Sequence, residues 1–167
     1  MSMSKKSPAP APLQSVDRRI LSTFDELRRE SLDLHTFFEL AGGNPPSERE
    51  AVLDAVSRLV ANGMLRGGTG GDFYQRTEDG RLVVANPRDI TLYTREGCHL
   101  CDEAKAAIVP LMSEFGAKLR EVDIDADPEL RDRHTDDVPV VFLGSRMVAQ
   151  HRVDPAQLRR EFEKTKP

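Results

Sequence analysis

From Ser15 onward the apolar positions fall at helical spacing. In SVDRRILSTFDELRRES, Val16, Ile20, Phe24 and Leu27 are separated by four, four and three residues. Residues so spaced share one face of a helix, which is expected to start with Ser15 as its N-cap. LDLHTFFELAGG reads as a short second helix closed by Gly42 and Gly43. NPPSEREAVLDAVSRLVANG reads as a third. Here Pro46 precedes an N-cap at Ser47, Glu50 completes a capping box, and Gly63 ends the helix. Val52, Val56, Leu59 and Val60 are its expected buried face. Then the period shortens. Phe73–Arg76 and residues 81–85 have β character and flank a turn at residues 77–80, with GGTGG as a hairpin loop.

The dipeptide and charge pair NPRD, residues 86–89, marks a boundary. Beyond it ITLYT is a β-branched strand, and LCDEAKAAIVPLMSEFG is helical up to Gly116. KLREVDID alternates as a strand, and DPELRDRH is a short helix with Pro128 at its first position. VPVVFLG and RMVAQ form a hairpin around Gly144 and Ser145. DPAQLRREFEK closes the chain as a helix with Asp154 as N-cap and Pro155 at the first helical position. The order is β-α-β-α-β-β-α, an α/β unit, preceded by an α+β unit of three helices and a hairpin. The expected domains are a Ser/Pro/Ala-rich disordered tail at 1–14, a first domain at 15–88 and a second at 89–167.

The chain has 167 residues, enough for one medium domain or two small ones, and its net charge is −4. Residues 15–88 carry ten basic and twelve acidic side chains, and residues 89–167 carry twelve and sixteen. Neither half has the basic excess that draws a protein to nucleic acid or an anionic bilayer. No apolar run approaches the roughly 20 residues of a membrane span. MSMSKKSPAPAPLQ has two lysines but no apolar stretch after them, so it does not read as a secretory signal. The expected compartment is cytoplasmic, where thiols are held reduced, which weakens the reading of the cysteines as a static structural disulfide.

Those cysteines, Cys98 and Cys101, carry the candidate chemistry. A zinc site needs four ligands, and only His99, His134 and His151 stand ready to join them, with no second Cys-x-x-Cys, so no metal is expected. A strand running straight into Cys-x-x-Cys at the mouth of a helix reads as a thioredoxin-like redox motif. Free N–H groups and the helix dipole favour an anion at that position, so a cysteine at the N-cap ionises readily. One helical turn later the second sulfur lies near the first but deeper. Cys98 is then the nucleophile and Cys101 the resolving thiol. His99 either favours the Cys98 thiolate when protonated or is an exposed spacer that fixes the turn. His151 and Arg152 read as solvated loop residues ahead of site residues. The acidic run DIDADPELRD reads as a solvated edge, its carboxylates scattered by strand and helix alternation.

LYTREGCHLCDEA, VDIDADPEL and VPVVFLG resemble the glutaredoxin-like proteins of the thioredoxin superfamily, in a bacterial branch with Cys-His-Leu-Cys at the active site. The resemblance runs from Ile90 to about Lys164. It implies a thioredoxin-like fold and a thiol–disulfide oxidoreductase. It also implies a cis Pro139 beside the cysteines, and a Val138 backbone that pairs with an extended substrate chain or glutathione. Arg95 is implied as partner of the glycine carboxylate of glutathione. The expected site is therefore Cys98 and Cys101 as catalytic residues, with Arg95, His99, Val138 and Pro139 binding substrate. The family's Gly-Gly pair for the γ-glutamyl group is replaced here by VAQHRVDP. No tightly bound cofactor is required, glutathione is a candidate co-substrate, and the substrate is a protein disulfide or a low-molecular-weight thiol.

The first half resembles a winged helix, with Leu40 to Gly42 at the helix–turn–helix corner and the stretches LVANGMLR and YQRTEDGR leading into and through the wing. That resemblance implies a third helix placed to read DNA, hence an alternative reading as a redox-responsive DNA-binding regulator. Arg49 and Arg58 on that helix face Glu48, Glu50 and Asp54, a poor balance for phosphate contact, which leaves Arg66, Arg76 and Arg81 of the wing as the cations on offer. Protein docking or dimerisation is the favoured role.

Overall fold

The computed structural model describes residues 12–40 and 45–165. The expected disorder of residues 1–11, the helix closure at Gly42 and Gly43 and most of the expected corner lie outside the described residues. Two compact units divide between Val84 and Ala85. Among the described residues no helix is long and apolar enough to cross a membrane.

The first unit runs α1 (Ser15–Leu27), β1 (Ser31–Asp33), α2 (Leu34–Leu40), α3 (Pro46–Ala61), β2 (Leu65–Gly67), β3 (Phe73–Arg76) and α4 (Glu78–Leu82). Its strands form an antiparallel sheet in the order β1-β3-β2. Ile20, Leu21 and Phe24 of α1 pack with Phe37 of α2 and Val52, Ala55, Val56 and Leu59 of α3.

Several expectations are corrected here. The N-cap of α1 is Gln14 rather than Ser15, because Asp17 reaches back to accept the Gln14 N–H at 2.9 Å. Helix α3 begins at Pro46, before Ser47, since a proline at the first helical position arrives with its φ already set. Val60 is 41% exposed and Leu27 39%, while Ala55 is fully buried. At 100° per residue, Val60 has rotated off the face that Leu59 occupies. Residues 81–85 are not a strand and residues 77–80 are not a turn. The Thr77 hydroxyl accepts the Gly80 N–H at 3.2 Å and starts α4, and Gly80 backs so closely onto the Met64 carbonyl that a Cβ there overlaps it. Val83 and Val84 pack on the core instead of pairing in the sheet.

The second unit runs β4 (Ile90–Thr94), α5 (His99–Phe115), β5 (Leu119–Asp123), a 3₁₀ turn (Ile124–Ala126), α6 (Pro128–His134), β6 (Val140–Leu143), β7 (Arg146–Gln150) and α7 (Pro155–Lys164). The sheet order is β5-β4-β6-β7, with β4 parallel to β5 and antiparallel to β6. This is the expected β-α-β-α-β-β-α order, a thioredoxin-like fold. Gly116 closes α5 at a φ of 64°, and Asp154 caps α7 by accepting the Ala156 N–H at 2.9 Å. Ile90, Leu92, Val141 and Leu143 bury one sheet face against Ala104, Ile108 and Leu111 of α5 and Leu158 and Phe162 of α7. Tyr93 points to the other face, edge-on to His134 at 5.2 Å and against Phe142 at 5.2 Å. The central strand β4 is thus gripped on both edges and both faces, and its end is where the cysteines begin.

Candidate active site

Past Thr94 the chain turns through Arg95, Glu96 and Gly97, with Gly97 at a φ of 73°, a conformation that a Cβ disfavours. The Cys98 N–H donates to the Arg95 carbonyl at 3.3 Å and closes this loop. Cys98 then stands as N-cap of α5 in extended conformation, and its Sγ accepts the Cys101 N–H at 3.2 Å. Its carbonyl accepts from Cys101 and Asp102 at 3.1 and 3.2 Å. Cys98 and Cys101 are joined in a disulfide with Cα atoms 5.2 Å apart. The two sulfurs are not equivalent. Cys101 is 3% exposed, whereas Cys98 is half-buried at the rim.

Pro139 is preceded by a cis peptide bond from Val138. The register that pairs Tyr93 with Val140 carries Pro139 alongside Thr94, at the end of β4 from which the Cys98 loop springs. Val138 precedes the paired part of β6. The Pro139 carbonyl accepts the His151 N–H at 2.9 Å, and His151 holds a φ of 63° to deliver it. His151 thus adopts a left-handed backbone and spends its N–H on the Pro139 and Asp137 carbonyls.

His99 lies between the cysteines with its side chain 83% exposed, and its Nδ1 sits 3.2 Å from Glu103 one turn along the helix. Arg95 is committed elsewhere. Its Nε and Nη2 donate to the two carboxylate oxygens of Asp125, each at 2.8 Å, and Nη1 donates to the Thr135 carbonyl at 3.3 Å. These bonds hold the Asp125 carboxyl below the ordinary aspartate range, an effect of the Arg95 hydrogen bonds first and of the Arg95 and Arg131 charges second. The guanidinium is pushed further up for the same reason. Asp125 was not singled out from the sequence. The parallel register of Thr94 with Asp123 brings Arg95 to the 3₁₀ turn, a long-range contact that no local sequence pattern marks. Within the acidic run, Asp123 accepts the Asp125 N–H and Asp127 caps α6, both at 2.9 Å. Among the described residues no group of three or more His, Cys, Asp or Glu side chains is disposed to hold a metal.

Three first-unit arginines that the DNA-binding expectation would need are also engaged. Arg76, with a side chain 3% exposed, is paired with Asp25 and donates to the Leu21 carbonyl at 2.7 Å, and its guanidinium lies over the Phe24 ring at 5.5 Å. Arg81 pairs with Glu30 and Glu78, and Arg58 with Asp17.

A parallel–antiparallel sheet whose central strand delivers a Cys-x-x-Cys disulfide to a helix N-terminus, beside a cis-proline, defines a thioredoxin-superfamily domain. Within that class, residues 89–163 match the family described as "Glutaredoxin-like domain (DUF836)". A glutaredoxin-like protein of Dictyostelium discoideum is 33% identical over 81 residues, spanning 45% of this chain and 75% of the relative. The chain belongs to this glutaredoxin-like family. An uncharacterized Mycobacterium tuberculosis protein is 31% identical over 81 residues, with 46% of this chain and 84% of the relative covered. A solution structure of a Nitrosomonas europaea protein aligns with 30% identity over 45% of this chain and 91% of that one, at a TM-score of 0.40.

Proposed function

We propose that this chain is a thiol–disulfide oxidoreductase or redox relay of the cytosol that works through the Cys98–Cys101 dithiol. The observation that carries the reading is the asymmetric disulfide at the start of α5, one sulfur at the rim and its partner 3% exposed. In the reduced protein the Cys98 thiolate receives the Cys101 N–H and the positive end of α5. It attacks one sulfur of a substrate disulfide, forming a mixed disulfide while the substrate's other sulfur leaves as a thiolate. Cys101 gives its proton to solvent and attacks Cys98 Sγ, re-forming the Cys98–Cys101 bond and expelling the second substrate sulfur as a thiolate. Two electrons pass from the dithiol to the substrate, and an external thiol or dithiol restores the protein. The Val138 backbone, ahead of cis-Pro139, offers an edge on which an extended polypeptide pairs. The reading takes protein disulfides as the substrates, with His99 as a flank of the site, its side chain 83% exposed.

Trapping tests the assignment. Cys101→Ser should accumulate a stable mixed disulfide with a disulfide-containing substrate, resolved by added dithiothreitol, while Cys98→Ser should accumulate none. The reverse pattern would overturn it.

The first unit is read as a winged-helix-like module that docks on protein rather than DNA. What supports this is the pairing of Arg58, Arg76 and Arg81 with carboxylates of their own unit.

A further inference from the structure

We propose that Asp125 is a resident carboxylate that withholds Arg95 from the carboxylates of small thiols, so that the Cys98–Cys101 pair selects against glutathione as its reductant. The inference rests on the redox reading above and sharpens its substrate class.

Arg95 is the cation built into the Cys98 loop, since its carbonyl receives the Cys98 N–H. Glutathione is a small peptide with two carboxylates, and a guanidinium beside the sulfur is the natural anchor for one of them. Here three of its five N–H donors are taken and its charge is already paired. Nε and Nη2 hold Asp125 in a two-bond embrace at 2.8 Å each, and Nη1 holds the Thr135 carbonyl. Asp125 is fixed in turn by its own N–H, donated to Asp123. An entering carboxylate finds the Nε–Nη2 face occupied and the guanidinium charge already neutralised by Asp125, so it gains less from Arg95 than it would from an unpaired cation. The negative charges of Asp123 and Asp136 also act on this guanidinium and disfavour a second anion there. The His151 N–H, on the Pro139 side, is already spent on the Pro139 carbonyl. A polypeptide that pairs along Val138 needs none of these donors.

The reaction in question consumes two glutathiones. The first thiolate attacks Cys98 Sγ, giving a Cys98–glutathione mixed disulfide and a Cys101 thiolate. The second attacks the glutathione sulfur, giving glutathione disulfide and a Cys98 thiolate. Both protein thiolates take up the protons that the two glutathione thiols released.

The test is the second-order rate constant for reduction of the oxidised full chain by three reagents: glutathione, glutathione with both carboxylates esterified, and dithiothreitol. Asp125→Asn should raise the glutathione constant about threefold to tenfold, the scale of one ordinary hydrogen bond gained at a partly exposed site. Reduction by the ester and by dithiothreitol should change less than about twofold, within which differences reflect folding rather than recognition. Adding Arg95→Ala to Asp125→Asn should erase the gain. An equal rise with all three reagents would reduce Asp125 to a loop brace and overturn the proposal, as would no rise at all. Failure of dithiothreitol to reduce the wild-type disulfide would instead refute the redox reading itself, and this inference with it.

Discussion

Reducing the Cys98–Cys101 bond should cost the second unit little of its stability. The bond links residues only three apart in sequence, so the closed loop counts four residues, Cys98 to Cys101. Loop-closure entropy for that length is worth about 1.9 kcal/mol at 25 °C. Part of it returns in the reduced state, where the thiolate at the N-terminus of α5 regains about 0.3–1 kcal/mol from the helix dipole. The net gap is then about 1–1.5 kcal/mol in favour of the oxidised form. With a urea dependence of about 1 kcal/mol per molar for a unit this small, the midpoint should move by roughly 1 M. The chain provides its own probe: it has no tryptophan and two tyrosines, Tyr74 in the first unit and the buried Tyr93 on β4. In Tyr74→Phe, tyrosine fluorescence reports the second unit alone, and unfolding is followed with and without excess dithiothreitol at neutral pH. A gap above about 3 kcal/mol would mark a structural staple and refute the reasoning. A reduced form more stable than the oxidised one would refute it from the other side.

The carboxyl of Glu161 on α7 is held below the ordinary glutamate range, by its hydrogen bond from Lys164 first and by Arg146 of β7 as well. A depressed folded pKa means that this contribution is complete above the unfolded value near 4.3 and disappears as pH falls through the lower folded value. Glu161→Gln should therefore melt below wild type at pH 7 and converge with it in acid, in a series of thermal melts from pH 7 to 3; a constant offset would contradict the assignment. For the first unit, a gel-shift series at modest salt with random-sequence duplex should show no retardation in either redox state, and oxidation-sensitive binding would restore the DNA-binding reading.

What was legible in the sequence was mostly local. Cys98 as N-cap, Gly116 as the end of α5 and Asp154–Pro155 as the start of α7 follow from side chains and backbone groups within one helical turn of each other. The misreadings had long-range causes. Residues 81–85 carry β-branched side chains, but the Thr77 cap and the tight seat of Gly80 on the Met64 carbonyl turn the chain into α4 first. Arg76 looked like a solvent-facing cation because its partners lie on α1, 51 residues and more away. The Arg95–Asp125 pair spans 30 residues and exists only in the parallel register of β4 with β5. The left-handed His151 had no glycine or asparagine to advertise it, and its conformation follows from the β7 end meeting the Pro139 carbonyl.

The hairpin turn at Gly144 also has a mechanical consequence. Its N–H holds the Asp89 carbonyl at 2.9 Å, and a Cβ at Gly144 would stand 2.9 Å from the Pro87 Cα, so the incoming chain is seated on the β6–β7 turn before it enters the sheet. The strand it then becomes, β4, is central, laddered to β5 on one edge and β6 on the other. Tension arriving along residues 86–89 therefore meets two ladders at once, loaded in shear along the strand rather than peeled one bond at a time. The loop with Cys98 lies at the far end of that strand, shielded from the pull by the full length of both ladders.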